Sequence, residues 1–134
     1  MDKNLFDIIE KMSNQDKKEL IEYLRSSIVA NEYPAMFVGD RYEQLLKSAE
    51  TVFNRKMRTG RHVDDVMMRR FIAYKLREDG YSFSQISRAM GKNHATIIHL
   101  VHQMEDYFSL PVVYKEDIKK YLKFHSMIMQ DERD

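Results

Sequence analysis

Apolar residues recur along this 134-residue chain at three- and four-residue intervals, the spacing of helix faces packed on a common core. Leu5, Ile8, Ile9 and Met12 predict a short helix over residues 4–12. Ser13 to Asp16 reads as the next helix start, since a Ser hydroxyl accepts an early amide and an Asp complements the helix dipole. Leu20, Ile21, Leu24 and Ile28 carry that helix to about residue 28, giving an amino-terminal helical hairpin. Pro34 disfavours helical backbone at Tyr33, so residues 1–38 are read as hairpin plus linker and residues 39–134 as a second unit.

The second unit continues the helical pattern. Asp40 is the expected cap of a helix from Arg41 to about Met57, with Leu45, Leu46, Ala49, Val52 and Phe53 inward. Thr59-Gly60-Arg-His is a turn, and Asp64 or Asp65 opens a helix through Met67, Met68, Phe71, Ile72 and Tyr74 to Arg77. Ser82-Phe-Ser-Gln85 resembles a capping box that starts a short helix, Gln85 to Met90, stopped by Gly91. Asn93 caps a helix from His94 to about Phe108, Leu110-Pro111 breaks it, and a last helix runs from Glu116 to about Met129. The expected fold is all-α: a helical bundle containing a helix-turn-helix, preceded by the hairpin.

Composition narrows the chemistry. The absence of cysteine excludes disulfides, Cys-ligated zinc and cysteine nucleophiles. Glycines stand singly at 39, 60, 80 and 91, whereas phosphate loops and dinucleotide fingerprints need them clustered. No apolar run reaches the roughly 20 residues of a membrane helix, and the amino terminus lacks a signal-peptide pattern, so a cytoplasmic protein is expected. His99, His102 and Asp106 are spaced as metal ligands are, but no second ligand cluster accompanies them. No catalytic triad order or paired carboxylate stands out. Neither a metal, a cofactor nor an enzymatic activity is expected.

Charge is small overall, +1, and uneven. Residues 1–54 hold 7 Lys+Arg against 10 Asp+Glu, and residues 103–134 hold 5 against 7. Between them, residues 55–102 hold 10 against 4, with four of the five histidines. A basic block between acidic flanks points to a local anion-binding surface.

Within that block, Ser82 to Met104 has the helix-turn-helix plan: a short helix, a turn containing Gly91, and a longer second helix. Phe83, Ile86 and Ala89 on the first helix face Ile97, Val101, Met104 and Phe108 on the second. The helical turn angle places Ala95, His99, His102 and Asp106 opposite the apolar stripe. Asn93, His94, Ala95 and Thr96 then form the exposed first turn, where a recognition helix reaches base edges, with Arg88 and Lys92 placed for phosphates.

The segments Phe71-Ile-Ala-Tyr-Lys-Leu-Arg-Glu78, Tyr81-Ser-Phe-Ser-Gln-Ile-Ser87 and Ala89-Met-Gly-Lys-Asn-His-Ala-Thr-Ile-Ile-His-Leu100 resemble the carboxy-terminal DNA-binding domain of the bacterial replication initiator DnaA. The resemblance spans roughly residues 41–129, including Lys115-Glu-Asp-Ile-Lys-Lys120 as the closing helix, and its specific part is the turn into the second helix. It implies double-stranded DNA binding, with His94 and Thr96 matching contact positions unchanged. Lys92 stands where the family has Arg, and Ala95 where it has Thr. Asn93 stands where it has Asp, which shifts the expected base preference from cytosine toward adenine. Arg69 matches the arginine opening the family's preceding helix, and Arg61 would join it at the backbone or minor groove. The initiator's ATPase module has no counterpart here, so replication initiation is not carried over.

The function expected from the sequence is sequence-specific binding of double-stranded DNA, in regulation of transcription or replication. The alternative is a protein-interaction adaptor that keeps the helical fold without DNA binding. Residues 4–30 are the expected surface for a homodimer or a protein partner.

Overall fold

The computed structural model describes residues 36–133, and the hairpin expected over residues 4–28 lies outside them. The described residues form α1 (Val38–Phe53), α2 (Val63–Glu78), α3 (Phe83–Met90), α4 (His94–Ser109) and α5 (Lys115–Arg133), with no strand among them. The protein is thus an all-α bundle. No helix among the described residues is long and apolar enough to cross a membrane.

α1 begins three residues before the expected Arg41 and ends four residues before Met57. Its first turn has no side-chain cap, so Asp40 lies within the helix, where its carboxylate complements the amino-terminal dipole. It stops because Asn54 adopts left-handed backbone (φ 52°), and the Asn54 N–H closes on Glu50 and Thr51 carbonyls. α2 is capped by His62 rather than by Asp64 or Asp65. The His62 ring nitrogen Nδ1 accepts the Asp64 N–H at 3.2 Å. Asp65 is fully buried and accepts from the Arg58 N–H at 3.1 Å and from Arg55 at 3.3 Å, pinning the loop before α2.

α2 is the central helix, buried on most of its circumference by Met67, Met68, Phe71, Ile72, Ala73, Tyr74 and Leu76. Such a helix needs neighbours on several sides. α1, α3, α4 and α5 all pack against it. Phe71, Tyr74, Phe108, Tyr121 and Phe124 meet in a fully buried aromatic cluster with ring centroids 5.3–5.9 Å apart. Each buried side chain of this size contributes about 1.5–3 kcal/mol over an exposed one.

A charged network locks one end of the bundle. Arg41 of α1 grips Asp79 through Nε (2.7 Å) and Nη2 (3.3 Å). Lys75 Nζ reaches Glu78 at 3.2 Å, and the Tyr121 hydroxyl donates to the same carboxylate at 3.1 Å. Burial, and secondarily the Glu78 charge, hold the Tyr121 hydroxyl pKa well above its ordinary value.

Candidate nucleic-acid interface

The α3–α4 unit is built by local bonds. Ser82 Oγ accepts the Gln85 N–H at 3.1 Å while Gln85 Oε1 accepts the Ser82 N–H at 2.8 Å, a complete capping box. Gly91 ends α3 in left-handed backbone, φ 64°. The Lys92 N–H then returns to the Ser87 carbonyl at 3.1 Å, and the Ser87 hydroxyl donates to the Lys92 carbonyl. Asn93 starts α4, its Oδ1 accepting the Thr96 N–H at 2.7 Å. Ile86, Ile97, Val101, Met104 and Phe108 are buried, and Leu100 joins them. Phe83 and Ala89 are only partly buried.

The first turn of α4 faces out. Asn93, His94, Ala95 and His99 are exposed, and Thr96 is half-buried. The Asn93 cap draws on the same amide that an adenine contact would use. A bidentate contact to adenine needs the amide oxygen as well as the NH2 group, and the Thr96 N–H takes one of that oxygen's two lone pairs. His94 leans edge-on against Phe83 (5.7 Å between centroids), whose ring also carries the Arg77 guanidinium at 4.5 Å. Arg77 in turn donates to the Tyr81 carbonyl at 3.0 Å. The sequence pattern did not single out this Arg77–Phe83–His94 stack, because its members come from three separate segments.

The cations named from the sequence fall into two groups. Arg88 and Arg61 are exposed, on α3 and on the loop 54–62 respectively. Arg69 is 9% exposed, and its Nη2 donates to the carbonyls of Arg58 and, at 2.8 Å, Gly60. It holds the loop that carries Arg61 rather than presenting itself on the surface. Lys92 is half-buried and meets that loop across a cavity of about 220 Å³. The loop and the helix-turn-helix turn are thus neighbours, and Arg58, which sequence reasoning passed over, lies between them. Arg55 is neutralised by Asp64 and Asp65, at 3.7 and 3.3 Å. Arg58, Arg61, Arg69, Arg88 and Lys92 form no ion pair among the described residues.

Three or more His, Cys, Asp or Glu side chains placed to share a metal do not occur among the described residues. His99 and His102 are both exposed on α4. Compared with known proteins, the chain matches no protein-family model, no curated protein and no solved structure.

Proposed function

We propose that this chain binds double-stranded DNA sequence-specifically through α3, the Gly91 turn and α4, as a non-enzymatic regulator of transcription or replication in a bacterial cytoplasm. The observation that carries this reading is the exposed first turn of α4 beside a basic loop in which Arg58 and Arg61 form no ion pair among the described residues. On this reading Asn93, His94, Ala95, Thr96 and His99 face base edges in the major groove, because the amino-terminal residues of a recognition helix reach deepest. Arg88 and Lys92 pair with phosphates, and Arg61 follows the backbone or the adjacent minor groove. Residues 4–30 pair two copies, which doubles the few contacts one reading head makes.

Fluorescence anisotropy with a random duplex and a duplex carrying the initiator's box, each at two salt concentrations, tests the reading. Binding that weakens steeply with salt is expected, because phosphate contacts release counterions. A folded protein that binds neither duplex at low salt would overturn it. That outcome favours the adaptor reading, for which Leu110, Val112 and Val113, 52%, 67% and 70% exposed, offer an apolar docking loop.

A further inference from the structure

Arg69 carries a permanent charge into the protein and forms no ion pair among the described residues. Nine-tenths buried, it uses one nitrogen for two backbone carbonyls, while Nε and Nη1 bond no acceptor among the described residues and stay open to solvent. An arginine stays protonated in proteins, so these nitrogens remain donors for a ligand. Beside it lies the 220 Å³ cavity, lined by Arg58, Arg69 and Lys92 together with Tyr42, Met57 and Met90. Three cations around one hollow, with no carboxylate among its described lining residues, make a surface suited to an anion.

We propose that this cavity is a phosphate-binding site, taking a single phosphoryl group from a phosphate ester or from inorganic phosphate. Size and chemistry select the class. The volume is below the roughly 300–1,000 Å³ of cofactor-sized pockets, so one phosphoryl group with a few waters or a sugar fits and a dinucleotide does not. Arginine forks match tetrahedral oxyanions, and Lys92 adds a point charge. Met57, Met90 and Tyr42 give an apolar wall against which a sugar rests. The proposal stands whether or not the protein binds duplex DNA, because the cavity is formed within one chain.

The test is a titration of the full, isotope-labelled chain with sodium phosphate against sodium chloride of equal ionic strength, read at the Thr59, Gly91 and Lys92 amides. Saturable shifts with phosphate alone are expected. Arg58→Gln combined with Lys92→Gln should weaken phosphate about tenfold while leaving the circular dichroism unchanged. Arg69 is left intact because it also holds the loop. Ribose 5-phosphate and a short duplex then separate the sources. If the natural occupant is a DNA phosphodiester, duplex and phosphate exclude one another; if it is a free ester, both bind together. Shifts no different from chloride, or a double variant that responds like the original, would overturn the proposal and leave the cations to a carboxylate of the chain itself. A protein that takes phosphate but no duplex would refute the DNA reading and keep this one.

Discussion

The Asn93 side chain accepts the Thr96 N–H at 2.7 Å, so the residue at the tip of the candidate reading helix is also its cap. One lone pair of the oxygen serves the fold, while the residue stays exposed. If α4 reads DNA, stability and base preference are coupled at this position.

Asn93→Ala should cost about 1 kcal/mol of stability, the usual worth of an N-cap. Asn93→Asp keeps the acceptor and should leave the urea midpoint nearly unchanged, while replacing outward donors with an acceptor. Paired denaturation curves and duplex titrations separate the two effects. An Ala variant as stable as the original would mean that the cap contributes nothing.

Gly91→Ala should destabilise by about 1–2 kcal/mol through backbone conformation alone, since φ is 64° and no atom lies within reach of the added methyl. Thermal unfolding measures it. A much larger loss would point to a clash that the geometry does not contain.

Arg69→Met removes the donor to the Arg58 and Gly60 carbonyls and should cost about 2 kcal/mol, with the lost bonds partly offset by removal of a buried charge. Hydrogen exchange at Met57 and Arg58, whose amides bond Glu50 and Asp65, should rise more than exchange in the core of α2. Equal protection in both variants would show that the loop holds without Arg69.

If Lys92 pairs with a DNA phosphate, Lys92→Glu should weaken random and specific duplexes alike and lower the logarithmic salt slope by about 1. Anisotropy at several salt concentrations reads the slope. A change confined to one sequence would place Lys92 at a base instead.

Alkaline pH should unfold the protein through Tyr121. Its hydroxyl pKa is raised in the fold, so above about pH 10 the unfolded chain loses this proton before the folded chain does. Stability is then full below the unfolded value and falls as pH rises through it toward the folded value. Urea midpoints measured between about pH 8 and 11 should decline, and Tyr121→Phe should flatten the decline. An unchanged slope in that variant would assign the effect to Tyr42, Tyr81 or Tyr107, which burial also raises.

By itself the amino-acid sequence determined the helical class and the α3–α4 unit almost residue by residue. α3 was expected over 85–90 and α4 over 94–108, against 83–90 and 94–109 in the structure. The reason is that their signals are local: a capping box, a left-handed glycine and an Asn cap each act within a few residues of chain. The same locality misplaced α1, whose start carries no side-chain cap to read, and hid the His62 cap of α2 behind two more conventional aspartates.

Only the tertiary structure decided what the charged side chains do. Arg41 and Asp79 are 38 residues apart, and Arg58, Arg69 and Lys92 meet from a loop, a helix and a turn. No periodicity encodes such meetings, because they depend on how the packed helices bring distant segments together. Arg61 and Arg69 look alike in sequence, yet one is exposed and the other is buried beneath the loop that the first one rides on. Burial, set by packing against the central helix, separates the two roles.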